Sequence, residues 1–250
     1  MSCFRISLIS LSIFILAGCQ PLSGSRQGKP FAIASVMKSD LHILVEVHQR
    51  QTLGYLRELT EKLYRRNPRE LRKVAGATIE TRLAELFPVE SGGNSVQEGP
   101  DDQVSQPGKL LGRVTSKASG ITLLSQAFDE QYQGDRVLAL VSGIRNMVMT
   151  AYNGQVDFYY LDKPLDPQKL HNSARNVEIV IWRLSHESRA DGQPWLLSNS
   201  LGPDVNLSFE RLFGKLIGQL DMIALMVAQQ RNIQIKNLMR SVASMVFLPV

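Results

Sequence analysis

FERLFGKLIGQLDMIALMV, residues 209–227, sets the fold class. Phe209, Leu212, Phe213, Leu216, Ile217, Leu220, Ile223, Ala224 and Val227 recur at steps of three and four. At that spacing they form one apolar stripe along a helix, whereas a strand would scatter them over both faces. The stripe pauses at Gln229 to Asn232 and resumes, rotated about the axis, with Ile235, Leu238, Met239, Val242 and Val246. Residues 205–247 therefore read as one helix bent near 230, or as two helices that meet there.

The same period recurs upstream. Asp166-Pro167 is a helix start, a carboxylate cap followed by a proline in the first turn. Leu170, Ala174, Val177, Ile181 and Leu184 carry that helix's stripe. Asp135 to Tyr152 is a further helix, with Val137, Leu140, Val141, Ile144, Val148 and Ala151 on one face, interrupted by Arg145 and Asn146 and closed by Asn153-Gly154. Ile121 to Tyr132 is a weaker helical segment, and Val156 to Leu161 alternates enough to suggest a short extended piece.

Nearer the N-terminus, Leu41, Leu44, Val45, His48, Thr52, Tyr55, Leu56, Leu59 and Leu63 mark another helix. Ser39 or Asp40 can cap it, and Asn67-Pro68 ends it. Asn67 is expected to cap a second helix with Glu70 at its third position. Thr78 to Phe87 gives a short third helix, with Ile79, Leu83, Leu86 and Phe87 inward.

The fold class expected is all-α: an irregular helical bundle with long C-terminal amphipathic helices and a long internal loop. That loop is residues 88–119, half of which are Gly, Pro, Ser and Gln with no sustained apolar period. It divides a helical hairpin at 31–87 from a helical domain at 120–250. No internal repeat is evident.

The first thirty residues are different in kind. Arg5 and the terminal amine precede a twelve-residue, mostly apolar run from Ile6 to Ala17. A bilayer-spanning helix needs roughly 20 apolar residues, so the run reads as a signal peptide, residues 1–18. It ends in Leu16-Ala17-Gly18-Cys19, which resembles the lipobox of bacterial lipoproteins. The resemblance implies cleavage between Gly18 and Cys19, a diacylglyceryl group on the cysteine sulfur, and in many bacteria an acylated amine as well. One acyl chain holds a membrane marginally and two or more hold it stably. The family's sorting rule reads the next residue. Gln20, in place of an aspartate, implies the outer membrane and its periplasmic face. Residues 19–30, with Pro21, Gly24, Gly28 and Pro30, form a short flexible tether.

The only cysteines are Cys3 and Cys19. With Cys3 removed and Cys19 acylated, the mature chain has neither a free thiol nor a disulfide, and must rely on its apolar core. Loss of Arg5 lowers the formal charge of +5 by one unit. That excess suits an anionic neighbour such as a lipid headgroup or peptidoglycan, and is too small to argue nucleic-acid binding.

A basic run supplies the candidate anionic-ligand face: Arg57, Lys62, Arg65, Arg66, Arg69, Arg72 and Lys73. Arginine forks suit phosphate and carboxylate groups. The competing account is a solvated face with i, i+4 pairs Glu58–Lys62 and Glu61–Arg65. The four histidines, His42, His48, His171 and His186, show no metal-ligand spacing, so no metal or cofactor is expected. His48 lies in an apolar stripe and reads as a hydrogen-bonded packing residue, and His171 and His186 as surface residues. There is no nucleophile elbow and no phosphate-binding glycine loop. Glu187-Ser188 loosely resembles the Glu-Ser motif of lytic transglycosylases, without the glycine-rich stretch that family carries downstream.

The expected function is that of a lipid-anchored interaction or scaffold component of the cell envelope with a protein partner. The alternatives are an enzyme acting on peptidoglycan, with Glu187 as its acid, and a helical lipid carrier.

Overall fold

The computed structural model describes residues 38–88, 119–200, 205–232, 235 and 246–250. Leu16 to Cys19, the tether, residues 89–118 of the internal segment and most of the second C-terminal stripe lie outside the described residues. The described residues all belong to one unit, Met37–Val250. They form seven helices: α1 (Asp40–Arg66), α2 (Pro68–Leu71), α3 (Ile79–Leu86), α4 (Gly120–Ala127), α5 (Arg136–Ala151), α6 (Pro167–His186) and α7 (Ser208–Gln230). No strand occurs among the described residues, and the all-α class holds.

Helix starts follow side-chain chemistry. Ser39 caps α1 by accepting from the His42 N–H at 3.3 Å, and His42 Nδ1 accepts in return from the Ser39 N–H at 3.1 Å. His42 thus fills the role that Glu or Gln plays in the usual capping box. Thr78 and Thr81 form the same reciprocal pair at α3. Asp135 caps α5 through the Leu138 N–H at 2.9 Å, and Asp166 caps α6 through the Gln168 N–H at 2.9 Å.

The expected cap on α2 does not form. Asn67 is buried, and its side chain turns to another segment instead. Its Nδ2 donates to the carbonyls of Leu63 and Leu197, both at 2.9 Å, and its Oδ1 accepts from the Leu197 N–H at 2.7 Å. Glu70 also leaves its expected place and accepts from the Arg136 N–H at 2.8 Å, at the first turn of α5. Both side chains gain more from satisfying buried backbone elsewhere than from capping a four-residue helix.

One hydrophobic core collects residues from both sides of the internal segment: Leu56, Leu59 and Leu63 of α1, Leu140, Ile144 and Val148 of α5, Leu170 and Val177 of α6, and Leu216 and Leu220 of α7. α7 packs mainly on α6 and α1, and α5 mainly on α4. The α4–α5 crossing is close because glycines meet there. A Cβ on Gly143 would lie 2.9 Å from the Gly120 carbonyl oxygen and 2.8 Å from Leu124 Cγ. α7 is, among the described residues, the one helix long and apolar enough to cross a membrane. Its apolar stripe is committed to the core, and its outer surface carries Glu210, Arg211, Lys215 and Asp221 together with exposed Met222 and Leu225.

Residues 156–161 turn instead of extending. The Phe158 N–H donates to the Glu46 carboxylate at 3.0 Å, and the Tyr159 N–H donates to Asp162 at 2.7 Å. The C-terminal Leu248 is clamped by Asn176, which donates to its carbonyl at 2.9 Å and accepts from its N–H at 2.6 Å.

Candidate functional site

The basic run does not form one face. Its residues follow α1 round and then leave it, so they divide into four sets. Lys62, Arg65 and Arg66 line a cavity of about 380 Å³ together with Leu197, Asn206 and Phe209. Arg57, one turn or more earlier on α1, lines a different cavity. Arg69 and Lys73 turn towards buried Glu70, at 3.8 and 2.7 Å, and Lys73 also donates to the Gly134 carbonyl at 2.9 Å. Arg72 is exposed at the end of α2.

The Lys62–Arg66 cavity combines charge with apolar surface. Arg65 is held by Glu61 at 2.6 Å, the i, i+4 pair expected from the sequence. Lys62 lies over the Phe209 ring, 6.0 Å from its centroid, rather than pairing with Glu58. Asn67 fixes the far wall by holding Leu197 through both backbone groups. Leu197 and nearby Leu207 remain about half exposed, at 45% and 47%. Such a groove suits an acidic partner with an apolar anchor.

Sequence reasoning missed a second set. Arg145 sits on α5 inside an otherwise apolar face and is only 4% exposed. It lines a cavity of about 320 Å³ with Gln49, Arg50, Leu53 and Arg57 of α1. Burial alone lowers its pKa from the ordinary arginine value. The signal was present as an arginine breaking the α5 stripe, but periodicity scores such a residue as an interruption.

The histidines are not grouped. His42 is the capping-box partner of Ser39, and His186 stacks on Trp182 with ring centroids 4.8 Å apart. His48 is half-buried as expected for packing, but its buried Nδ1 has no hydrogen bond. His171 is not on the surface: it packs beside Asp221 at 3.5 Å, because α6 and α7 close over it. No cluster of three or more His, Cys, Asp or Glu suited to a metal occurs among the described residues. Glu187 at the end of α6 accepts from Arg183 Nε at 2.8 Å. Cys19 and Gly18 lie outside the described residues.

No family model matches this chain, and neither does any curated protein or any solved structure.

Proposed function

We propose that this chain is a lipoprotein of the bacterial envelope, held at the periplasmic face of the outer membrane by acylated Cys19, whose helical body is an interaction component. The observation that carries the reading is Leu16-Ala17-Gly18-Cys19 at the end of a short apolar run. The first described helix begins at Asp40, shortly after Cys19 in sequence. The groove at Lys62, Arg65 and Arg66 supplies a surface for an acidic partner.

The other two readings draw less support. A glycosidic general acid needs a desolvated carboxyl, whereas Glu187 is engaged by a guanidinium at a helix end. A lipid carrier needs a free apolar chamber, whereas the α7 stripe is used by the protein's own core.

Membrane fractionation of cells making the wild type and Cys19→Ser tests the anchor. Wild-type protein in the outer-membrane fraction, and the variant displaced from it, is the expected result. A variant that fractionates like wild type overturns the proposal.

A further inference from the structure

The cavity between α1 and α5 holds a charge that no described residue compensates. Three arginines are buried among the described residues: Arg82, Arg136 and Arg145. Arg82 is paired with Glu85 at 2.7 Å, and Arg136 donates to the carbonyls of Ala127 and Tyr132, both at 2.9 Å. Among the described residues Arg145 has neither a carboxylate partner nor a hydrogen bond, and its Nε is buried without one. An arginine does not escape by losing its proton. A guanidinium partly desolvated without an anionic partner destabilises the fold.

The surroundings add charge of the same sign. Arg50 and Arg57 are seven residues apart on α1, two turns of one face, and both line the cavity with Arg145. Asp157 is the one carboxylate among the described residues of the lining, and Lys38 already engages it at 3.0 Å. Leu53, Phe87 and Val156 give the cavity an apolar wall. Gly54 borders it as well, and a Cβ there would meet nothing within 4 Å.

From this we infer that the Arg50–Arg57–Arg145 cavity is a binding site for a phosphate ester whose organic part lies on Leu53, Phe87 and Val156. Guanidinium forks match phosphate oxygens in pairs. Three of them around about 320 Å³ favour a group with several charged oxygens. The apolar wall favours an ester over the bare ion. The same chemistry is presented by a soluble organic phosphate and by an anionic phospholipid headgroup. The inference is independent of whether Cys19 is acylated.

The test uses the full chain carrying Cys19→Ser, so that no acyl group contributes. Phenyl phosphate should raise the melting temperature saturably, at lower concentration than inorganic phosphate, and sodium chloride at equal ionic strength should not. Arg145→Met should melt higher than the parent without ligand, because the uncompensated charge is gone, and should bind phenyl phosphate ~30-fold or more weakly. Gly54→Leu fills the cavity mouth from a helix position that welcomes leucine. It should keep the parent's melting temperature and lose the phosphate response.

Phosphatidylglycerol vesicles, with phosphatidylcholine vesicles as control, separate the sources. Phosphatidylglycerol-specific binding that Gly54→Leu abolishes assigns the site to a headgroup. Vesicle binding indifferent to Gly54→Leu, with phenyl phosphate binding intact in the parent, assigns it to a soluble ester. The inference is overturned by no phosphate response in the parent, by a response that survives Gly54→Leu, or by benzoate acting as well as phenyl phosphate.

Discussion

Asn67 does at residue scale what no helix boundary rule anticipates. It stitches the end of α1 to the Trp195–Leu197 loop through two hydrogen bonds to Leu197, with a third to the Leu63 carbonyl, while almost fully buried. Asn67→Ala removes the side-chain partner of both part-buried Leu197 backbone groups, at about 0.5–1.5 kcal/mol for each hydrogen bond lost. A drop in urea midpoint with an unchanged m-value should report it. His171 gives a pH-dependent counterpart. Burial first, then the Arg175 charge, holds its imidazole below the ordinary value of 6.5, against the pull of Asp221. The unfolded chain therefore takes up the proton first as pH falls. The stability tied to the neutral ring is present above 6.5 and is lost as pH falls through the ordinary value towards the folded one. Melting temperature should fall between about pH 7.5 and about pH 5, and fall less in His171→Gln.

Among the elements, α7 was the most legible in the sequence, because a long amphipathic stripe has one reading. The residues expected inward are the ones buried, with Ile217 half-exposed at the edge. Leu220→Ala should cost about 2–5 kcal/mol, and Lys215→Ala, exposed over the Tyr55 ring at 4.9 Å, no more than about 1 kcal/mol. Thermal melts of the two variants against wild type check the pair. The α4–α5 contact was not legible, since close approach of Gly120 and Gly143 leaves no periodic trace. Gly143→Ala should destabilise by about 1–3 kcal/mol through overpacking. Gly218→Ala, on α7 with open space around its Cβ position, should stabilise by roughly 0.5–1 kcal/mol. Opposite signs in denaturant midpoint are expected. The 156–161 segment misled because its weak alternation was outweighed by Glu46 and Asp162, which satisfy its backbone in a turn. The basic run was legible as charge but not as geometry: α1 carries Arg57 to one cavity and Lys62 to Arg66 to another.

For the whole molecule, periodicity was sufficient for the class and insufficient for the sites. Helices on both sides of the 88–119 segment share one core, so the body should unfold as a unit rather than in two steps. Its charged cavities draw on residues whose sequence neighbours give no hint of where they converge; Arg50 and Arg145 meet across 95 positions of chain. The reading of this body as membrane-anchored rests on Cys19. Intact-mass and N-terminal peptide spectrometry of the protein purified from bacterial membranes tests it directly. A chain beginning at Cys19, carrying a diacylglyceryl group with or without an N-acyl chain, is the predicted result. A chain that retains residues 1–18, or that begins at an unmodified residue, contradicts it.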